Sequence, residues 1–318
     1  MLWGLNFIAI RVGLDHFPPF FFAALRFAVM AVPVIVFVRF PRVQVRWFLL
    51  YAFGFGFGQF AFLFLAMDLG MPTGLASLVL QTSAPFTVLL GVLFLRERMV
   101  PAQVIGILVA VGGIALIGVD RAGNGALGVG IVVPLLLTVL AGLSWAFGNI
   151  GSRLARPDDA LRMTLWMSVV PPIPFLLLSV AVEGPSAGVH ALATVGTSTG
   201  LIALVGLAYV VLLGTIAGSG LWTSLLSRYP ASRVAPLSLL VPVVGITAAW
   251  LILGEVPSAV EIGGAALVIA GCAAGVLAAP RSGMRRSLPR PRAHPFRSRS
   301  SDSVSGKAMG EREPVDSR

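Results

Sequence analysis

Charge is what this sequence lacks most. Only 11% of its 318 residues are Asp, Glu, Lys or Arg, against about 25% in a soluble globular chain. A water-soluble enzyme of this length is excluded on that ground. The single cysteine, Cys272, excludes an internal disulfide framework and any thiolate metal cage. The three histidines, His16, His190 and His294, are too scattered for a metal site; no metal and no cofactor is expected. Clustered acids are missing too, the only adjacent pair being Asp158-Asp159. An intramembrane enzyme such as a prenyl transferase would need carboxylates one helical turn apart to hold magnesium diphosphate. A membrane scaffold or sensor would carry a soluble domain, and too little chain lies between the apolar runs to form one.

What is present is apolar: 57% hydrophobic residues and 36 glycines, with a mean hydropathy of +0.93. The net charge of +10 is unevenly spread. Residues 1–280 hold 13 arginines against 9 acids, while 281–318 hold nine arginines and one lysine against 4 acids. The basic surplus is mostly a tail, so no nucleic-acid partner is expected. That tail is rich in Arg, Ser and Pro and cannot bury enough apolar surface to fold. It reads as a disordered cytoplasmic segment whose arginines meet anionic lipid.

A membrane-spanning helix needs about 20 mostly apolar residues. Ten such segments run near 2–14, 19–38, 47–66, 72–95, 101–119, 127–148, 163–182, 198–222, 231–253 and 259–279. The joints between them are short and marked by Pro, Gly and charge, as at His16 to Pro19 and at Gly70 to Pro72. The fold class expected is all-α and integral to the membrane. The first segment is short for a crossing, which leads to the expectation that the true N-terminus lies upstream of Met1 or that the helix begins thin. It makes a poor signal peptide, with no basic region before it and no small-residue cleavage site after it.

Arginine sets the orientation. Ten arginines lie in the joints after segments 2, 4, 6 and 8, between Arg39 and Arg233; the other joints hold only Arg121, with Arg11 near the end of the first span. The Arg39–Arg46 joint and the C-terminus are therefore expected in the cytoplasm and Asp120–Ala126 outside. Two halves also align. Pro72, Glu97, Gly106 and Gly113 fall on Pro230, Glu255, Gly264 and Gly271 at an offset of 158 residues; Trp3 and Arg11 fall on Trp145 and Arg153 at an offset of 142. Five spans per half is an odd number, so the halves enter the membrane in opposite senses. The domains expected are 1–119, 127–279 and the tail 281–318. Inverted repeats are a mark of secondary transporters.

Several stretches carry a resemblance: Trp3-Gly-Leu-Asn-Phe7, Leu25-Arg-Phe27, Gln59 to Phe64, Gly74 to Gln81, Ser144-Trp-Ala with Gly148-Asn-Ile150, and Arg233 to Gly245. Over about residues 1–280 the chain resembles the ten-helix EamA-type carriers of the drug/metabolite transporter superfamily. The resemblance implies export of small polar metabolites, such as cysteine and O-acetylserine, across a bacterial inner membrane. A broader drug or metabolite exporter of the same superfamily is the alternative. The chain departs from the pattern in its short first helix and its basic tail. The partners expected are a small-molecule substrate and the lipid bilayer, with a homodimer left open.

Polar side chains inside spans face the bundle interior or a cavity. The candidate substrate-binding residues are Trp3 and Asn6, Arg26, Gln59, Gln81, Trp145 and Asn149, Trp222 and Ser238. Amides donate and accept, and an indole packs apolar matter while donating one bond, which suits a neutral or zwitterionic solute. The smaller hydroxyls, among them Ser77, Ser83 and Ser144, serve equally well as bonds between helices. Arg26 is the one charge well inside a span, costing about 2.5 kcal/mol or more. With no acid at its depth, its partner is backbone carbonyl, water or a substrate carboxylate, unless it snorkels outward. Glu97 and Glu255 occupy matching helix ends and are the only repeat-related carboxylates available to a proton. As ordinary helix-end charges they would pair with Arg96 or Arg98. Gly54, Gly56 and Gly58 look like a fragment of a nucleotide loop but sit mid-span, where small residues let helices pack closely.

Overall fold

Lipid offers no partner to a backbone N–H or C=O, so each apolar run must satisfy its own backbone as a helix. The computed structural model describes residues 1–123, 130, 132–229 and 234–277, and every regular element among the described residues is a helix. They are α1 (Leu2–Leu14), α2 (Pro19–Phe37), α3 (Val45–Asp68), α4 (Thr73–Leu95), α5 (Pro101–Gly123), α6 (Val132–Ala155), α7 (Ala160–Val182), α8 (Ala187–Ala193), α9 (Ser198–Trp222), α10 (Leu237–Leu253) and α11 (Ala259–Leu277). Seven are long and apolar enough to cross a membrane; α1, α10 and the stretch Ala259–Gly275 of α11 are apolar but shorter. The expected tail lies outside the described residues.

One boundary moves by several residues from the sequence reading, and one helix is added to it. The sixth segment, expected at 127–148, occupies Val132–Ala155, because nothing in Gly148 to Arg153 breaks a helix until Arg156 turns left-handed (φ 44°) before Pro157. Helix α8 in the seventh joint was not anticipated; its seven residues carry no apolar run of spanning length.

The outward faces are apolar, as lipid requires: Val32, Val36 and Phe37 on α2, Leu93 and Phe94 on α4, and Ile105 and Leu108 on α5 are all exposed. Inside, a chain of rings fills the core. Phe17, Phe22 and Phe64 stack in turn, and Phe60 and Phe175 flank Phe27.

Local structures recur 158 residues apart. Helix α4 ends with Arg96 left-handed at φ 55°, and α10 ends with Gly254 at φ 70°. In both, the next amide reaches six residues back, Glu97 N to Gly91 O and Glu255 N to Ala249 O, each at 3.2 Å, one residue further than the bond of a Schellman cap. Helices α5 and α11 then start alike: Val100 N donates to Gln103 Oε1 (3.1 Å) and Ser258 N to Glu261 Oε2 (2.9 Å).

Those two helices also cross at their glycines. A β-carbon on Gly106 would stand 2.5 Å from Gly271 O, and one on Gly113 would stand 2.6 Å from Gly264 O. Contact runs up one helix as it runs down the other, so α5 and α11 are antiparallel.

Helices α3 and α9 each contain a π-helical segment, Ala52–Gly58 and Tyr209–Ala217. Two 3₁₀ turns lie at Leu80–Thr82 in α4 and at Ala235–Leu239, across the start of α10, and a turn at Ser168–Pro171 interrupts α7. The first has a cause: Pro85 has no N–H to return to the Gln81 carbonyl, which instead takes the Cys272 thiol at 3.8 Å.

Candidate functional site

Trp3 and Asn6 are three residues apart on α1 and so share one face. That face lies on the π-helical segment of α9. Trp3 Nε1 donates to Gly214 O at 2.8 Å, and the Trp222 ring tilts against the Trp3 indole with centroids 5.3 Å apart. Tyr209 donates its hydroxyl to Leu2 O at 3.2 Å. The close approach needs glycine on α9: a β-carbon at Gly218 would stand 2.6 Å from Trp3 Nε1, and one at Gly214 would overlap the Asn6 amide oxygen.

Arg26 enters the same turn from α2. It is 4% exposed and does not snorkel. Its Nη2 donates to Thr215 Oγ1 at 3.1 Å, and Thr215 donates in turn to Val210 O, five residues back, at 2.8 Å. The guanidinium carbon lies 4.0 Å from the Phe60 ring centroid and 4.9 Å from that of Phe27. The protein's own partners for the group are thus a hydroxyl and two ring faces. Arg26 Nε and Nη1, Gln59 Oε1 and Asn6 Oδ1 are buried without a hydrogen-bond partner among the described residues.

A second group stands on α6. Trp145 meets the Phe55 ring edge-on at 5.5 Å, and Asn149 Nδ2 donates to Thr87 Oγ1 at 3.0 Å. Phe55 lies 6.5 Å from Phe60, so rings lead from Trp145 to Arg26. Gln81 and Ser238 are half-buried in the two 3₁₀ turns. The structure therefore joins Trp3, Asn6, Trp222 and Arg26 at one turn, and holds Trp145 and Asn149 on a separate helix. Sequence reasoning passed over Phe55, Phe60, Thr87 and Thr215. Thr215 had a weak signal: a buried arginine needs an oxygen at its own depth, and Thr215 is one of the hydroxyls, with Tyr209 and Ser219, inside the apolar run of α9.

Gly54, Gly56 and Gly58 pack, respectively, on Gly148, on Met167 with Pro171, and on Ser144. They are places where helices meet. The charges at the helix ends do not pair as the sequence suggested. Glu97 bridges to Arg153, with Arg153 Nη1 3.2 Å from Glu97 Oε2. Glu255 accepts from the amides of Thr73 (2.9 Å) and Gly74 (3.0 Å) at the start of α4, where a helix N-terminus favours negative charge. Glu255 borders a cleft of about 860 Å³, with Arg11, Arg121, Glu261 and Thr73 also on its wall. Arg121 pairs with Glu261 there. None of the nine candidate residues lines this cleft.

Residues 1–119 and 132–276 match the EamA-like transporter family. A "Probable amino-acid metabolite efflux pump" of Salmonella typhimurium is 42% identical over 276 residues, covering 85% of this chain and 90% of that protein. A protein of the same description from Escherichia coli is 40% identical with the same coverage. A "Probable terminal-alkyne amino-acid exporter" of Streptantibioticus cattleyicolor is 30% identical, covering 85% of this chain and 88% of its own. One solved crystal structure superposes with a TM-score of 0.50 at 23% identity, covering 88% of this chain and 95% of the other; that likeness concerns the fold alone.

Proposed function

This chain belongs to the EamA-like transporter family, and from that premise we propose that it exports small amino-acid metabolites, of the cysteine and O-acetylserine kind, across a bacterial inner membrane by alternating access. The observation that carries the reading is the set of polar-tipped side chains, one buried and three half-buried, around the π-helical turn of α9. Trp3, Asn6, Arg26 and Trp222 gather there inside an otherwise apolar bundle. In a membrane, polar groups so placed mark a substrate pathway. The cavity between the halves is lined, in this reading, by those four with Gln59, Gln81, Trp145, Asn149 and Ser238.

The architecture proposed with it is ten crossings in two inverted halves, 1–119 and 127–279. The recurrence of caps and helix starts at one offset supports this, as does the antiparallel crossing in which Gly106 meets Gly271 while Gly113 meets Gly264. Under the offset of 158 those two contacts exchange. The π-helical segments agree as well: Ala52–Gly58 falls at 210–216, within Tyr209–Ala217.

Purified carrier in proteoliposomes is expected to catalyse counterflow of L-cysteine and O-acetyl-L-serine, assayed in a panel of amino acids with and without an imposed proton gradient. Failure on the whole panel in a properly inserted protein rejects the reading. Orientation has its own test. Both Gly196 and Gln44 are exposed and Cys272 is buried. A cysteine at Gly196 is expected to react with an impermeant thiol reagent in intact cells and one at Gln44 to stay protected. The reverse pattern inverts the topology.

A further inference from the structure

Resting on that reading, we propose that Arg26 is the seat of the solute's carboxylate, and that the amide oxygens of Asn6 and Gln59 receive its ammonium. An ion held away from water must be paired and hydrogen-bonded or it is strongly unfavourable. Arg26 is 4% exposed, yet every acid among the described residues lies at or beyond a helix end, and none pairs with it.

What the protein does supply holds the guanidinium without neutralising it. Thr215 takes one nitrogen. The faces of Phe60 and Phe27 take the plane of the group, as cation–π contacts do, and ring faces leave the N–H edges open. Nε and Nη1 remain buried and without a partner among the described residues. A planar fork with free N–H groups is matched by a carboxylate.

The acceptors complete the pattern. Gln59 is also 4% exposed, and its Oε1, like Asn6 Oδ1, has no partner among the described residues. Asn6 abuts Gly214 and Arg26 bonds to Thr215, consecutive residues of one π-helical turn. Gln59 adjoins Phe60, the ring beneath Arg26. One cation with free donors, linked to one free amide oxygen through a shared π-helical turn and to the other through Phe60, is complementary to a zwitterion: carboxylate at one end, ammonium at the other. The Trp3 and Trp222 rings stand alongside for the apolar part.

The test compares L-cysteine, its carboxamide and cysteamine as competitors of labelled L-cysteine in proteoliposomes carrying the full chain. Losing one partner of a buried charge pair weakens binding by roughly 30-fold or more, so both carboxylate-free compounds are expected to compete at least that much more weakly. Arg26→Gln is expected to abolish this preference and Arg26→Lys to retain part of it. The preference of the wild-type carrier requires no variant, so poor insertion of Arg26→Gln leaves the test intact. Wild-type carrier that accepts cysteine and its carboxamide alike overturns the assignment while leaving amino-acid export standing. An inserted Arg26→Gln carrier that keeps the preference overturns it too. A carrier that moves none of the three and nothing else in the amino-acid panel takes down both readings.

Discussion

Gly106→Leu is expected to destabilise the purified carrier by about 3 kcal/mol or more, at the upper end of what overpacking costs. The β-carbon alone would press on the Gly271 carbonyl oxygen at 2.5 Å. That neighbour is backbone and cannot swing aside, so α5 and α11 must part. The control lies on the same helix. A β-carbon at Gly112 meets nothing within 4 Å, so Gly112→Leu carries no clash and gains helix propensity of up to ~1 kcal/mol. Thermal unfolding in detergent, followed by size-exclusion chromatography, separates the two. Equal melting temperatures for the two variants mean the helices do not meet at Gly106. Gly264→Leu should match Gly106→Leu, since the offset of 158 relates the two positions.

Gly214→Ala is expected to cut export roughly tenfold or more while the protein still inserts, because about 1–3 kcal/mol of strain falls on the site and each ~1.4 kcal/mol is a factor of ten. Here the obstructing atom is the tip of the Asn6 side chain, which can move. Fold is therefore kept, while the Asn6 amide is displaced and the Trp3 bond to Gly214 O is disturbed. Gly220→Ala on the same helix has open space and should export normally. The double variant Gly214→Ala, Asn6→Ala tells packing from function. If Asn6 only fills space, removing its amide restores export. If it handles solute, the double variant stays inactive. Export at the wild-type rate by Gly214→Ala itself would separate this turn from transport.

The helices were legible because lipid leaves an apolar run only one regular structure, and the Trp3–Asn6 spacing already put both on one face. The π-helical turns were not. Ala52–Gly58 and Tyr209–Ala217 read as ordinary helix, since an extra residue in a turn leaves no mark on an apolar pattern. The partners of charges were harder still. Glu97 was weighed against Arg96 and Arg98, its chain neighbours, whereas its bridge runs to Arg153 on another helix. Arg26 shows the same limit: its burial depth was legible, but its hold on Thr215, 189 residues away, depends on how α2 and α9 cross.

Glu97 and Glu255 occupy matching positions, yet they are fastened by different physics. The Arg153–Glu97 bridge is open to water, with the two side chains 46% and 44% exposed. Dissolved ions screen such a pair over about 8 Å at physiological strength, and bridges of this kind contribute little once screened. Glu255 is half-buried and bonded to two backbone amides at fixed distances, where mobile ions compete poorly. Ionic strength therefore acts on the two ends of the bundle unequally. Concentrated salt slackens the Arg153–Glu97 end first and leaves the Glu255 end fastened.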